Sequence, residues 1–139
     1  MRKASPVGIG RPESSGKPAS DTDDVRDRAA EALRRVTWHG QAALTLRLAG
    51  KIITIDPYKM RPDALAADIV LITHKHDDHY SPTDILYISK ADTVKLASFD
   101  APGFRRVHPG ETIRIGAITI ITVPAYNQRK TRFHPRSLA

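Results

Sequence analysis

One stretch of the sequence, residues 69–79, constrains the fold more than any other. It begins with the unbroken apolar run Ile69-Val70-Leu71-Ile72, which predicts a strand buried on both faces of a sheet. The strand runs into a polar segment that contains three histidines and two aspartates within six positions: His74, His76, Asp77, Asp78 and His79. In α/β proteins, ligands bind at the carboxyl ends of such strands. Packing alone does not explain imidazoles and carboxylates crowded at that place.

The spacing of these side chains suits metal ions. If the chain stays extended as far as His76, the side chains of His74 and His76 point to one side and can bind one ion. Asp78 and His79 are adjacent in sequence, so their side chains diverge and can reach a second ion. Two metal ions roughly 3.5–4 Å apart can activate a bridging water and polarise a substrate oxygen. The alternative is a solvated, charged loop, which the crowding disfavours.

The segment of residues 73–79 resembles the T-H-x-H-x-D-H motif of metallo-β-lactamase-fold hydrolases. Residues 36–40 and 53–57 look like the opening strand and the early strand-plus-aspartate of that family. Residues 123–127 and 133–135 resemble segments found in a subgroup of metal-dependent hydrolases related to ascorbate-phosphate lactonases. The resemblance covers about residue 36 to the C-terminus.

The resemblance implies an α/β fold, the metallo-β-lactamase-like αββα sandwich, represented by roughly its first half as a mixed sheet with short helices. The domain spans residues 36–139 in this interpretation and is incomplete at its C-terminal end. Members of the family continue with more strands and helices, which bring a bridging aspartate and another histidine, whereas the last carboxylate side chain here is Glu111. An uncovered sheet face and an open edge favour association. We therefore expect self-association or completion by a second chain.

The resemblance also implies a set of site residues. His74, His76 and His134 bind one zinc ion, and Asp78 and His79 bind or border a second, with Mn²⁺ or Fe²⁺ as alternative metals. A metal-bound water is the nucleophile, and Asp78 is the catalytic residue that orients it. The expected reaction is hydrolysis of an ester, lactone or phosphoester in a small, anionic substrate. For His134 the alternative is a histidine in an unstructured tail.

Two other function classes remain open at this point. The first is a metal-binding or interaction module that lacks catalytic competence because the bridging carboxylate is absent. The second is nucleic-acid binding, since the net charge is +7 and the pI is near 10.0. Much of that charge lies in the two tails, and aromatic residues for base stacking are few, so a solvated basic surface is the favoured explanation.

Composition bears on the cellular compartment. The chain has no cysteine, which excludes disulfides and Cys-ligated zinc and fits a reducing cytoplasm. No apolar run approaches the eighteen or so residues that span a membrane. The N-terminus lacks the apolar segment of a secretory signal. We therefore predict a cytoplasmic protein with no membrane partner.

The remaining elements are predicted from local patterns. Residues 1–20 are rich in Pro, Gly, Ser and charge, which predicts a disordered basic extension, and residues 21–35 form a helix with a thin apolar stripe. Residues 36–48 form strand with a break near Gly40, and residues 51–55 return as its antiparallel hairpin partner. A capping pattern at Ser81, Pro82 and Asp84 begins a short helix that ends near residue 90. Residues 93–97, 112–115 and 117–123 are strands, and the slipped alternation at residues 120–121 predicts a bulge or two-sided burial.

Three residues close in sequence to the predicted site strands are not expected to bind metal directly. Trp38 is expected in the core. His39 is expected to be a structural or rim residue, because the family's histidine falls where this chain has Gln41. Asp56 has two interpretations of equal weight, as outer support of the metal ligands or as a simple cap of the turn before Pro57.

Overall fold

The computed structural model describes residues 21–125. The predicted disorder of residues 1–20 and the candidate ligand His134 lie outside these residues. Within them the chain forms these helices and strands: α1 Asp21–Arg34, β1 Val36–Gly40, β2 Ala43–Leu48, β3 Lys51–Ile55, β4 Ala67–Ile72, α2 Pro82–Ile88, β5 Ser89–Ala97, β6 Arg105–Arg106, β7 Thr112–Ile115 and β8 Ile118–Ile121. None of the helices in this range is long and apolar enough to cross a membrane.

The main sheet of the described range has the strand order β1-β2-β3-β4-β5-β6. The first three strands pair antiparallel, and β3, β4, β5 and β6 pair parallel. This arrangement confirms the predicted mixed sheet with short helices. It also confirms the prediction for the central apolar run, because β4 has neighbours on both sides and Ile69 and Val70 are fully buried.

Alternation along the strands creates two apolar layers, one on each face of the sheet. On one face, Val70 and Ile72 pack against Ile85 and Ile88 of α2. On the other face, Ile53 and Ile69 pack against residues of the β7–β8 hairpin, including Ile118. The site-bearing strand β4 is thus fixed from both sides, and its carboxyl end is held in a defined position.

Helix α2 begins as the sequence predicts. The Ser81 hydroxyl accepts a hydrogen bond from the Asp84 amide at 3.3 Å, and Pro82 occupies the first helical turn. The Asp84 carboxylate accepts hydrogen bonds from the amides of Lys59 and Met60, both at 2.9 Å, which ties the loop after β3 to the helix. The helix ends at Ile88, two residues before the position near 90 that the sequence predicts, because Ser89 turns to extended backbone and begins β5.

Two packing predictions are wrong. Trp38 is 69% exposed instead of buried in the core, because it lies on edge strand β1, where its indole Nε1 donates to the Gln41 carbonyl at 3.0 Å. The slip at residues 120–121 produces neither a bulge nor two-sided burial. Strand β8 pairs with β7 in regular register, and Ile121 is 67% exposed.

Helix α1 forms over the predicted range, but its apolar stripe makes no core. Val25 and Leu33 are 64% and 70% exposed. Its ion pairs are between neighbouring turns, as between Glu31 and Arg35 at 3.2 Å. Such exposed pairs contribute little stability, so α1 adds little to the position of the site.

Candidate metal centre

The polar loop after β4 meets the end of β3 because the two strands are parallel. Their carboxyl ends lie at the same edge of the sheet, which places Asp56 beside Thr73. Asp56 has a positive φ of 48° and donates its amide to the Leu71 carbonyl at 2.9 Å. Aspartate tolerates this left-handed conformation better than most residues. The turn directs the carboxylate into the loop instead of along the strand.

Asp56 is almost fully buried and makes three hydrogen bonds in the loop. Its Oδ1 accepts from the Thr73 amide at 2.7 Å, and its Oδ2 accepts from the Thr73 hydroxyl at 2.6 Å. The same Oδ2 lies 2.8 Å from Nδ1 of His79. Of the two interpretations of Asp56, these contacts favour outer support of the histidine cluster over a simple turn cap.

The contacts of Asp56 define which nitrogens of two imidazoles carry protons. An ionised carboxylate only accepts hydrogen bonds, so Nδ1 of His79 is the protonated nitrogen and Nε2 is the acceptor in the neutral ring. The Thr73 hydroxyl has one proton, and it donates that proton to Asp56. The same hydroxyl lies 3.0 Å from Nδ1 of His74, and in this second contact it can only accept. His74 therefore also carries its proton on Nδ1. Both rings present Nε2 as the donor of an electron pair, which is the form that binds metals.

The three imidazoles of the motif lie together. The ring centroids of His74 and His79 are 3.9 Å apart, and those of His74 and His76 are 4.6 Å apart. Nε2 of His74 lies 3.1 Å from Nδ1 of His76 in a hydrogen bond. Because Nε2 of His74 accepts, Nδ1 of His76 donates, and a shared ion would take the place of that proton. Two nitrogens bound to one tetrahedral zinc at about 2.0–2.1 Å lie about 3.3–3.4 Å from each other, so these two atoms stand near the separation that a shared ion requires.

The cluster as it stands does not form a complete coordination shell. Among residues 21–125, no group of three or more His, Asp or Glu side chains is arranged to hold a metal ion. Asp78 is largely exposed, and its Oδ2 lies 3.9 Å from Nε2 of His79. The structure thus brings His74, His76 and His79 together and leaves Asp78 at their border. The donor chemistry suits zinc, since the rings are imidazoles with oriented tautomers and a buried carboxylate behind them.

Sequence reasoning left the role of Asp56 open and did not assign one to Thr73. The available pattern was an aspartate directly after an apolar strand and before proline, which also occurs in ordinary turns. The contact of Asp56 with the loop depends on parallel pairing of two strands separated by residues 56–66. That pairing, and not the local sequence, brings the carboxylate to the imidazoles.

His39 forms its hydrogen bond with a residue of β2 and not with the cluster, which fits the expected structural residue. Its Nε2 lies 2.9 Å from the Thr45 hydroxyl, which in turn lies 3.2 Å from the Thr54 hydroxyl. Its Nδ1 is buried without a hydrogen-bond partner among the described residues. Burial lowers the pKa of His39 from its ordinary value, the positive charge of Arg61 lowers it further, and Asp63 partly opposes the shift.

The sequence also matches known proteins. The sequence model of a family described as "Beta-lactamase superfamily domain" matches residues 35–137. A UPF0173 metal-dependent hydrolase from Ligilactobacillus salivarius is 30% identical over 107 residues, which cover 67% of this chain and 49% of that protein. A UPF0173 protein from Pyrococcus abyssi is 28% identical over 111 residues, covering 73% of this chain and 52% of its own.

A solved structure agrees with these matches. The crystal structure of a Parabacteroides distasonis protein, assigned as a metal-dependent hydrolase, superposes with a TM-score of 0.64 at 29% identity and covers 72% of this chain and 50% of the other. The chain spans about half the length of the relatives that it matches. These findings confirm the predicted fold class and its correspondence to the N-terminal half of the family fold. The chain belongs to the β-lactamase superfamily.

Proposed function

We propose that this chain supplies the histidine-rich metal centre of a zinc-dependent hydrolase, with His74, His76 and His79 as ligands and Asp78 beside them. The observation that supports it most is the chain of hydrogen bonds from Asp56, which turns the Nε2 atoms of His74 and His79 into electron-pair donors. A solvated loop has no need for a buried carboxylate that orients two imidazoles. His134 is proposed as a further ligand.

Each residue has a defined part in this proposal. His74 and His76 bind one ion together, and His79 and Asp78 bind or border a second. Asp56 and Thr73 hold the rings in the correct tautomer and orientation. Bound zinc supplies an activated water and polarises the substrate oxygen. Asp78, exposed at the edge of the cluster, accepts a hydrogen bond from the attacking water and orients it towards the substrate.

The proposed reaction is the hydrolysis of an ester, a lactone or a phosphoester in a small anionic substrate within the cytoplasm. The names of the relatives support hydrolysis with a metal, and the basic charge of the chain supports an anionic substrate. Manganese or ferrous iron can occupy the same imidazole and carboxylate donors.

Metal analysis of purified protein tests the ligand set. We expect zinc to bind in stoichiometric amounts, and His76→Ala to lose most of it. His108→Ala is the matched control, because His108 is an exposed loop histidine outside the cluster. Equal zinc content in His76→Ala and the unchanged protein would refute the assignment.

A second candidate is a metal-binding module without turnover. It is favoured by the position of Asp78, which lies 3.9 Å from His79 and bridges no pair of imidazoles in the described part of the chain. Assays of generic esters and phosphodiesters with zinc or manganese separate the two candidates. Turnover that disappears in His76→Ala supports the hydrolase, and stoichiometric zinc without turnover supports the binding module.

We also propose that the chain associates with a second chain. The β7–β8 hairpin covers only the centre of one face of the sheet. Three exposed apolar side chains lie on the same face near its edge: Val36, Trp38 and Leu48. An exposed apolar strip beside an edge strand is a site of association. Light scattering at increasing concentration should show a dimer that Trp38→Ser weakens, and a monomer at all concentrations would contradict this.

A further inference from the structure

A polar cleft lies on the face of the sheet opposite the β7–β8 hairpin. Its walls come from β1, β2 and the loop before β4, and its polar lining is Thr37, His39, Thr45, Arg47, Arg61 and Asp63. The cleft has a volume of about 180 Å³, well above the roughly 10–15 Å³ that one water needs. It can therefore hold a small ligand with its water.

The pattern of side chains shows that this part of the face is built for polar contacts. Over β4 the same face carries Val70 and Ile72, which α2 covers. Over β2 the corresponding alternating positions carry Thr45 and Arg47. A surface meant for another packed helix would continue the apolar pattern. The change from apolar to polar side chains across one sheet face instead suits water or a polar ligand.

The charge of the lining favours an anion. The guanidinium of Arg47 has no ion-pair or side-chain hydrogen-bond partner in the described range. Arg61 uses its Nε to contact Asp63 at 3.1 Å, which leaves its terminal nitrogens as donors. Two guanidinium groups thus face one carboxylate. Burial and the positive charge of Arg61 lower the pKa of His39 from its ordinary value, which disfavours a further positive charge on this ring.

We propose that this cleft binds a small oxyanion, a phosphate or carboxylate group, through Arg47 and Arg61. The planar fork of arginine matches the oxygens of both groups and can bind them in pairs. The Thr37 hydroxyl is a further donor in the lining, and Ala64 and Leu65 form an apolar wall. That wall accommodates the organic part of a ligand such as a monophosphate ester.

The Arg47 end of this oxyanion cleft is separate from the imidazole cluster. Arg47 pairs with Ile52 on β3, while Asp56 follows the other end of that strand. Four residues of extended chain separate the two positions, which is about 13 Å along the strand. The cleft therefore serves an additional anion or a remote part of a larger ligand, and it does not require a metal.

Calorimetric titration of the full chain with inorganic phosphate tests the proposal. The protein is first treated with a chelator, so that phosphate cannot bind through a metal. We expect saturable binding to the unchanged protein and about tenfold weaker binding to Arg47→Gln, since one of two charged donor groups is lost. Arg114→Gln is the matched control, because Arg114 is exposed on β7 outside the cleft.

Further measurements make the result decisive. Thermal unfolding verifies that Arg47→Gln is folded, and Arg61→Gln provides a second variant that should also lose binding. Acetate and phenyl phosphate, titrated separately, distinguish a free anion from an anionic group on an organic body. In NMR spectra, phosphate should raise the pKa of His39, because a nearby negative charge favours the protonated ring.

Two outcomes would overturn the proposal: equal phosphate affinity in Arg47→Gln and the unchanged protein, or binding that does not saturate in any folded variant. The result is independent of the zinc centre. His76→Ala should retain phosphate binding in full, so failure of zinc binding and failure of the oxyanion cleft are observed separately.

Discussion

The carboxylate of Asp56 and the imidazole of His79 lie 23 positions apart in sequence and 2.8 Å apart in space. The contact joins the end of β3 to the end of the loop that follows β4. Because Oδ2 of Asp56 also accepts from the Thr73 hydroxyl, one buried carboxylate orients both His79 and, through Thr73, His74. The stability of the loop and the metal affinity of its histidines should therefore depend on the same residue.

Asp56→Asn tests that dependence. The amide nitrogen donates where the carboxylate oxygen accepts, so the variant loses charged hydrogen bonds in a buried place. We expect a loss of about 1.5–3 kcal/mol in the free energy of unfolding and zinc affinity lower by roughly 10–100-fold. Urea denaturation and zinc titration measure the two effects.

The control for this variant is Asp100→Asn, which changes an exposed carboxylate that pairs with Arg106 on the surface. It should alter neither quantity appreciably, because exposed ion pairs contribute little. Unchanged zinc affinity in Asp56→Asn would contradict the role of Asp56 in orienting His74 and His79.

Thr73→Val removes only the hydroxyl that links Asp56 to His74 and keeps the shape of the side chain. We expect weaker zinc binding in this variant and recovery in Thr73→Ser, which restores the hydroxyl. Nitrogen-15 NMR of the histidine rings measures the tautomers directly. In the unchanged, metal-free protein both His74 and His79 should carry the proton on Nδ1, and a proton on Nε2 of His74 would refute the assignment.

Ile69 holds the strand that presents the loop. It is fully buried between Ile53 and Ile118, so Ile69→Ala should lower the free energy of unfolding by about 2–5 kcal/mol. Leu86→Ala is the matched control, since Leu86 is 77% exposed on α2 and should change stability by less than about 0.5 kcal/mol. Equal effects of the two variants in urea denaturation would contradict the described core.

The central strand and the cap of α2 could be predicted because their causes are local. An unbroken run of Ile, Val and Leu suits a strand buried on both faces wherever it occurs. Ser81 followed by Pro82 satisfies the first turn of a helix with little help from the rest of the fold. The crowding of His74, His76 and His79 was likewise visible, because all three follow one strand.

The features that sequence reasoning missed depend on distant pairing. Trp38 has the large apolar side chain that is typical of core residues. It is exposed because β1 lies at the edge of the sheet. The apolar pair Ile120 and Ile121 does not reveal which side chain faces the sheet until β8 pairs with β7. The cleft at Arg47 required knowledge that the loop of residues 61–65 returns across β2.

Asp68 is expected to control stability in acid. Its carboxylate accepts from the Ile52 amide at 2.8 Å and from Nζ of Lys90 at 2.6 Å. The backbone hydrogen bond, followed by that from Lys90, lowers the pKa of Asp68 to about 2. A carboxyl whose pKa is depressed on folding stabilises the protein above its unfolded pKa, about 3.9. That contribution is fully present near neutral pH and is lost as the pH falls from about 4 towards 2.

Lys90 limits the stability that this ion pair contributes at high pH. The hydrogen bond to Asp68 raises the pKa of Lys90, so its contribution is complete below the unfolded pKa, about 10.4, and is lost as the pH rises through the folded value. Asp68→Asn should therefore lower the melting temperature near neutral pH, and the difference from the unchanged protein should shrink at both extremes. Melting curves across pH measure this, with Asp100→Asn as control. A difference that is constant from pH 7 down to about 2 would contradict the depressed pKa of Asp68.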